Sequence, residues 1–283
     1  GRLMKNKVAV VCFFIIVLLI LSCIIVPFFS PFESREQHLG EVNKGFMTVC
    51  TDSRYEGQHH VHYFGTDNLG RDLFLRAFEG GRVSLMIAFA AVFVNLIVGL
   101  IYGGISGYIG GAVDTIMMRI VEIVNGIPYL IVVILLMMVL PKGIFTMVVA
   151  YGITGWTGMA RLVRGQVLQL KSQEYIVAAE AMGAKSSRII AKHLIPNALS
   201  VIIINVTLAI PSAIFTEAFL SYIGLGVPVP QPSWGVLAKG GQDVFMTYPY
   251  QLVVPAVAIS LTMLSFNLLG DGLRDAFDPR LRR

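Results

Sequence analysis

Six long apolar runs constrain the fold of this chain more than any other feature of its sequence. A helix that crosses the hydrocarbon core of a bilayer needs about 20 mostly apolar residues, because each residue rises about 1.5 Å. The first run, VAVVCFFIIVLLILSCIIVPFF, is long enough and carries no charge. We predict membrane-spanning helices near residues 8–29, 83–106, 115–139, 143–160, 198–220 and 249–270.

Composition agrees with these runs and sets the class of the protein. Hydrophobic residues make up 55% of the 283 positions and charged residues only 14%, whereas charged residues are about 25% of a soluble domain. We therefore predict an all-α, polytopic membrane protein in which residues 1–283 form a single transmembrane domain.

The distribution of Lys and Arg predicts the orientation, because basic residues near membrane segments are retained in the cytoplasm. They concentrate before the first run, in the loop 161–197 and in the tail 271–283. The short connections on the other side hold only Lys142 and Lys239. We therefore expect both termini in the cytoplasm of a cell whose membrane the chain crosses, and an extracytoplasmic loop at 30–80.

No catalytic signature accompanies the apolar runs. The chain has no glycine-rich phosphate loop ending in Gly-Lys-Ser/Thr, no His-Glu-x-x-His, no Gly-x-Ser-x-Gly and no Cys-x-x-Cys. We expect no catalytic residue, no bound cofactor and no metal site, and no nucleotide hydrolysis by the chain alone.

Three histidines, His59, His60 and His62, are the strongest candidates for a metal site, since imidazole suits nickel, copper and zinc. A tight site needs three or four ligands in fixed geometry, whereas the surrounding EGQHHVHYF is polar and irregular. We interpret the stretch as a solvated loop. The three cysteines of the chain lack paired or metal-ligand spacing and are interpreted as two apolar side chains and one loop thiol.

Glycines recur at every fourth position in the second run, at Gly99, Gly103, Gly107 and Gly111. Four residues are nearly one helical turn, so the first three line one helix face and admit a close backbone, while Gly111 falls past the helix end. This face predicts either packing within the chain or contact with another subunit, and we favour packing within the chain.

The third run carries an ion pair and a proline. Arg119 and Glu122 lie three residues apart and so face the same side of a helix, where a mutual pair near the interface costs little. Pro128 removes an amide donor, so we expect it to kink or open this helix.

The loop 161–197 interrupts the apolar pattern with a structure of its own. Helix-forming residues from Arg164 to Met182 predict an amphipathic helix outside the bilayer, and Gly183 can end it in the left-handed conformation. Ser186 or the serine after it is a candidate N-cap for a short second helix, which Pro196 would stop. The predicted helix-turn-helix suits docking of a cytoplasmic partner; the alternative is an amphipathic loop resting on the membrane surface.

The same loop resembles the coupling loop of the permease subunits of ATP-binding-cassette (ABC) importers, which reads Glu-Ala-Ala, three residues, Gly, nine residues, Ile-x-Leu-Pro. Val177-Ala178-Ala179, Gly183 and Pro196 fall at that spacing. Val177 replaces the usual glutamate, while His193 and Ile195 replace the usual Ile and Leu.

Three further stretches resemble the dipeptide, oligopeptide and nickel branch of that family, and specifically the second, C-type permease of its pair. FGTDNLGRDLFLR resembles the outer-loop signature, with Leu75 where Ser is common, and EAFLSYIGLGVPVPQPSWG the fifth helix and its re-entrant loop, with Val229 in place of a frequent Pro. NLLGDGLRDAFDPRLR matches the C-terminal signature.

The resemblance implies a bacterial type I ABC importer fold: six membrane helices with a cytoplasmic helix-turn-helix coupling loop. It implies a homologous permease as partner, two ABC ATPase subunits that hold Mg-ATP, an extracytoplasmic binding protein and the lipid bilayer, and no nucleic acid. The residues it implies for ATPase docking are Val177, Ala178, Ala179, Gly183, Ala184, Lys185, Ser186, Arg188, His193 and Pro196.

The implied cargo is a peptide, oligopeptide or dipeptide, with nickel or a nickel chelate as the alternative within the branch. An ATP-independent channel or a membrane scaffold is the alternative of a different class. Channels and transporters that work without ATPases tend to carry inverted repeats and ionisable residues at the membrane midplane, and the sequence shows neither.

Overall fold

The computed structural model is helical apart from one short hairpin, and it describes residue 4, residues 6–52, residue 55 and residues 60–277. The hairpin pairs β1 with β2 in antiparallel register, Thr48 opposite His62. The elements are α1 Lys7–Phe29, a 3₁₀ turn Leu39–Glu41, β1 Thr48–Val49, β2 Val61–His62, α2 Leu73–Ile109, α3 Gly111–Asn125, α4 Tyr129–Val139, α5 Ile144–Thr154, α6 Trp156–Lys171, α7 Glu174–Ala181, α8 Ser186–Ile189, a π turn Ile190–Leu194, α9 Ile195–Tyr222, α10 Trp234–Asp243 and α11 Tyr250–Phe277.

Among the described residues, four continuous helical stretches are long and apolar enough to cross a membrane. They are α1, α2, the run from α8 through α9, and α11. The bent pair α3 and α4 makes a fifth when it is counted as one span. The six-span count stays a prediction, since the fourth predicted span, 143–160, corresponds to the 11-residue α5 and the first part of α6.

The third predicted span, 115–139, is broken in the middle, as expected from its proline. Pro128 lies between α3 and α4, whose axes differ by 78°. The amide of Gly126 still closes the last turn of α3 on the Glu122 carbonyl at 3.0 Å. The residue before proline is pushed out of the helical conformation, so the kink predicted at Pro128 is confirmed.

Several predicted boundaries are wrong because hydrophobicity ends before the helices do. α2 begins at Leu73, inside the stretch 30–80 that was predicted as loop, since Asp72 caps it by accepting a hydrogen bond from the Leu75 amide at 2.7 Å. α6 crosses the predicted boundary at 160/161, and α11 reaches Phe277, inside the predicted tail. Charged side chains end an apolar run without breaking its backbone hydrogen bonds.

The glycine face of α2 packs within the chain, which confirms the favoured interpretation. A Cβ on Gly103 would lie 2.3 Å from the Ala160 carbonyl of α6, and one on Gly107 would lie 2.9 Å from the Arg164 carbonyl. α2 and α6 therefore touch backbone to backbone. Gly111 lies past the end of α2 at a positive φ of 57°, as expected.

The long helices pack so that three chain segments meet at one end of the bundle. Ala9 of α1 packs against Gly272 near the end of α11, and Ile190 of the loop 161–197 lies beside Gly104 near the end of α2. At the opposite end, Trp234 of α10 donates its indole N–H to the Ala77 carbonyl at 2.9 Å. The 37 residues of α2 separate these ends by about 55 Å at 1.5 Å per residue.

Candidate functional site: the coupling loop

The loop 161–197, called the coupling loop below, consists of three helical pieces. α6 enters it and ends at Lys171, and α7 then covers only Glu174–Ala181. The prediction of one helix from Arg164 to Met182 is therefore wrong. The chain turns at residues 172 and 173, where the Gln173 amide bonds back to the Leu170 carbonyl at 3.1 Å and Gln173 itself is extended.

The turn at Gly183 has the predicted left-handed backbone, with φ at +77°. The Gly183 amide donates to the Glu180 carbonyl at 2.9 Å and the Ala184 amide to the Ala179 carbonyl at 3.1 Å. These two bonds form the Schellman arrangement, which satisfies the last carbonyls of a helix. A Cβ on Gly183 would have no neighbour within 4 Å, so the requirement for glycine comes from the backbone angle alone.

The second half of the loop is continuous with the following long helix. α8 begins after Lys185, which is its N-cap, so neither serine has the predicted capping role. A π turn over Ile190–Leu194 then leads directly into α9. Pro196 does not stop the helix as predicted. It lies just after the π turn, where the regular α-helical hydrogen-bond pattern is already interrupted, so the missing amide of the proline is tolerated.

One side of the loop is buried against the helices of the bundle. Ile176, Ile189 and Leu194 are fully buried and form one apolar cluster with Val163 and Val167 of α6. Burial of each such side chain is worth about 1.5–3 kcal/mol. α7 and α8 are thus fixed to α6 and α9 as one unit.

The opposite side of the loop is exposed and partly apolar. Val177 is 55% exposed, and Met182, at the end of α7, is 82% exposed. Tyr175 and Met182 point outward, while Ile176 and Ala179 point inward. Periodicity identifies residues that share a face but does not say which face is covered.

The predicted docking residues fall into three groups by exposure. Only Ala179 is buried, while Ala184 and His193 are half-buried. The exposed ones are Val177, Ala178, Gly183, Lys185, Ser186, Arg188 and Pro196. The structure brings the exposed residues before the proline to the outer side of α7 and α8, while Pro196 lies at the start of α9.

Polar contacts tie α7 and α6 to the ends of α2 and α3, and sequence reasoning missed them. The Tyr108 hydroxyl donates to Glu180 of α7 at 2.9 Å. Arg164 of α6 makes a two-pronged ion pair with Asp114 of α3, at 2.5 and 2.6 Å, and Ser106 donates to the same carboxylate. These partners lie 50 and 72 positions apart in the chain, so no local pattern indicates them.

The loop between α1 and α2, residues 30–72 and called the first loop below, has a buried polar core. His62 is fully buried, with Nδ1 at 2.8 Å from Asp72 and Nε2 at 3.0 Å from Glu41. Burial opposes the charged imidazole, but these two carboxylates raise the pKa of His62 above its ordinary value. The interpretation of the histidine stretch as solvated is wrong for His62, since tertiary contacts and not local polarity decide burial.

Of the other two histidines of that stretch, the structure describes only His60. The ring of His60 packs edge-on against Phe32 and Tyr55, with centroid distances of 5.8 and 5.4 Å. His59 lies outside the described residues. The predicted pair Arg119 and Glu122 is present on the surface of α3 at 2.7 Å, with both side chains exposed.

Comparison with protein families gives two matches, one to each end of the chain, which leave residues 46–95 between them. Residues 96–283 match the family described as binding-protein-dependent transport system inner membrane component. Residues 1–45 match the N-terminal TM domain of oligopeptide transport permease C.

Two curated relatives from Bacillus subtilis match over the full length of the chain. The oligopeptide transport system permease protein OppC is 50% identical over 282 residues, which cover 100% of this chain and 88% of that protein. The dipeptide transport system permease protein DppC is 48% identical over 283 residues, covering 100% and 85%.

Among solved structures, an inward-facing form of the MetNI methionine ABC transporter has the same fold. The match has a TM-score of 0.57 at 21% identity and covers 73% of this chain and 98% of that chain. At that identity the similarity speaks for the fold, and the fold is that of a type I ABC importer membrane domain.

Proposed function

We propose the function of this chain from one premise: it belongs to the family of inner membrane components of binding-protein-dependent transport systems, among the peptide permeases of the C type. It is a multi-pass permease subunit of a peptide ABC transporter. We propose that it forms half of the pathway through which oligopeptides or dipeptides enter a bacterial cell.

The observation that carries this proposal is the unbroken match to both an oligopeptide and a dipeptide permease, at 50% and 48% identity over the whole chain. Such a match includes the first loop, the coupling loop and the re-entrant segment before α10. The nickel alternative rests only on the sequence resemblance to the wider branch.

The proposed partners are a homologous permease, two ABC ATPase subunits, an extracytoplasmic binding protein and the surrounding lipid. The exposed face of α7 and α8 supports an ATPase contact, because it combines apolar Val177 and Met182 with basic Lys185 and Arg188. Interface centres are enriched in Met and Arg and exclude water. Mg-ATP belongs to the ATPase subunits in this proposal, and this chain contributes no catalytic residue.

The proposed mechanism passes motion from the ATPases through the coupling loop as a rigid body. α7 is fixed to α6 and α9 by the cluster around Ile176, to α2 by Tyr108, and α6 is fixed to α3 by the Arg164–Asp114 pair. A displacement of α7 by ATPase closure therefore moves the ends of several long helices together. Packed elements transmit such shifts because their cores do not deform continuously.

The proposed orientation places the coupling loop and both termini in the cytoplasm. The packing of Ala9 on Gly272 puts the start of α1 and the end of α11 at one end of the bundle, together with the coupling loop. That end carries Lys7, Lys185, Arg188, Lys192 and Arg274, and basic residues near membrane segments are retained in the cytoplasm. A Lys185→Cys variant tests this with an impermeant thiol reagent. The three natural cysteines are buried, so the parent chain supplies a low background, and labelling from outside intact cells would overturn the orientation.

The test of the function is transport by the transporter purified from its native membrane and reconstituted in vesicles with its binding protein. We expect two ATPase chains to copurify and labelled peptides to accumulate only with ATP. Accumulation of nickel instead of peptides would favour the alternative cargo. Uptake that needs no ATP would favour a channel, and no uptake with no ATPase copurifying would favour a scaffold; either result would contradict the proposal.

A further inference from the structure

The first loop brings together three side chains whose chemistry is that of metal ligands. His38, Glu41 and Cys50 each offer one ligand atom, and these atoms all lie within 4.8 Å of one another. All three residues are buried, with exposures of 1%, 2% and 7%. Neither the histidine stretch nor cysteine spacing in the sequence indicates this group, because its members come from separate short elements.

Local structure places each of the three residues. His38 and Glu41 flank one 3₁₀ turn, and the Glu41 amide donates to the His38 carbonyl at 2.7 Å. Cys50 follows β1 directly, and its amide pairs with the His60 carbonyl at 2.8 Å, which extends the hairpin. The turn and the hairpin thus hold the imidazole, the carboxylate and the thiol on one side of a common core.

A second layer of contacts orients the candidate ligands. Asp52 contacts Nδ1 of His38 at 2.9 Å, and Nε2 of His62 contacts Glu41 at 3.0 Å. The ring of Phe32 stacks on His62 with a centroid distance of 4.4 Å and packs edge-on against His38. Carboxylates behind a ligating imidazole and an apolar wall around the site are the features that support bound metal in proteins.

We propose that His38, Glu41 and Cys50 form a zinc site that holds the first loop closed. One nitrogen, one oxygen and one sulfur ligand suit the borderline-soft Zn²⁺ ion, whereas Mg²⁺ and Ca²⁺ bind through oxygen. A water molecule would supply the fourth ligand of a tetrahedral site. On binding, the Cys50 thiol releases its proton to solvent and its thiolate bonds the metal. The site departs from the sequence-based expectation of no metal, and it uses none of the three histidines at 59–62 as a ligand.

The consequence of the site is a metal link between segments that hydrogen bonds and the packing of Phe32 also join. It links the turn at Leu39–Glu41 to the β1 hairpin, and through Glu41 and His62 to Asp72, the N-cap of α2. Zinc would therefore stabilise the outer end of α2 together with the loop. The inference does not depend on the cargo, so it stands or falls separately from the proposed function.

The test measures zinc directly on the full transporter, purified with a tag that binds no metal. We expect about one zinc per copy of this chain after exposure to Zn²⁺ and a buffer containing a weak chelator, and a higher melting temperature with Zn²⁺. Cys50→Ser and His38→Gln should each weaken zinc binding at least tenfold. Cys23→Ser is the matched control, because Cys23 is equally buried but lies in the apolar cluster between the long helices.

A second measurement on the unaltered protein covers the case in which a variant fails to fold. Zn²⁺ should slow alkylation of Cys50 during partial unfolding, and Co²⁺ should give a thiolate charge-transfer band that Cys50→Ser lacks. Equal zinc in the parent and both ligand variants, or no protection of Cys50 in the parent, would overturn the site and leave a core held by hydrogen bonds and aromatic packing.

Discussion

The first loop and the coupling loop lie at opposite ends of α2, and they differ in where their charged side chains are placed. In the first loop, His62, Glu41 and Asp72 are buried and contact one another, and Arg71 pairs with Asp67 at 2.7 Å. In the coupling loop, Lys185, Arg188 and Lys192 are exposed and the buried side chains are apolar.

The difference indicates that the charges of the first loop stabilise the fold, whereas those of the coupling loop are placed to bind a partner. A buried charge needs its partners within the chain, because leaving it unpaired costs several kcal/mol. A charge exposed beside apolar side chains such as Val177 and Met182 keeps its capacity to bind a partner. We therefore expect changes in the first loop to act on stability, and changes on the coupling loop to act on transport.

The largest effect is expected for Asp72→Ala in the first loop. The change removes one of the two carboxylate partners of His62 and the N-cap of α2 at once, while Glu41 still contacts the imidazole. A hydrogen bond to a charged group contributes about 1.5–3 kcal/mol and an N-cap about 0.5–2 kcal/mol, so we expect a loss of about 2–5 kcal/mol in unfolding free energy. The melting temperature of the purified chain and its level in the membrane measure this.

The matched control is Asp243→Ala, which removes an exposed ion pair with Lys239 at 2.7 Å. Exposed pairs contribute about 0–1 kcal/mol, so its melting temperature should stay close to that of the parent. If the two variants lowered the melting temperature equally, buried charges would contribute no more to stability than exposed ones, and the proposed difference between the loops would be wrong.

The next effect in size is expected for Gly183→Val in the coupling loop. The left-handed φ of +77° costs a β-branched residue about 1–2 kcal/mol, which re-aims α8, although no neighbour crowds the new side chain. We expect near-normal amounts in the membrane and loss of peptide uptake, measured in whole cells together with ATPase copurification.

Gly183→Asn is the control, since asparagine tolerates the left-handed region better than other side chains. It should keep most of the uptake. Normal uptake by the valine variant would show that the coupling loop does not transmit the motion.

A smaller effect is expected for Met182→Glu on the exposed end of α7. Met182 is 82% exposed, so the fold should not change, while a buried charge in an ATPase contact should weaken that contact by about 1 kcal/mol or more. Copurification of the ATPases at increasing salt measures the loss.

Met246→Glu supplies the comparison, because Met246 is 97% exposed in the connection between α10 and α11, away from the coupling loop. We expect it to leave ATPase copurification unchanged. If both variants lose the ATPases equally, ATPase binding does not depend specifically on the exposed side of the coupling loop.

The smallest effect is expected for Tyr108→Phe, which removes the hydroxyl that bonds to Glu180 and also contacts Ser186. Such a bond contributes about 0.5–1.5 kcal/mol, and one at the surface contributes at the lower end of that range. We expect unchanged levels and a modest fall in peptide imported per ATP hydrolysed. An unchanged ratio would mean that the coupling does not depend on the Tyr108 hydroxyl and is carried by the other contacts, the apolar cluster around Ile176 and the Arg164–Asp114 pair.

The sequence by itself determined the helices and the main turns. The apolar runs predicted α1, α2, α9 and α11, because a backbone in lipid must satisfy its hydrogen bonds within the helix. The break at Pro128 and the left-handed turn at Gly183 were also predicted, since both follow from the backbone restrictions of single residues.

Only the tertiary structure decided which of these residues meet. His38, Glu41 and Cys50 come together, and Arg164 finds Asp114 across 50 positions, through packing that no local pattern records. Exposure of Met182 and burial of Ile176 likewise depend on where α6 and α9 lie. Periodicity and propensity act over a few residues, whereas burial is a property of the neighbours that the fold brings from elsewhere in the chain.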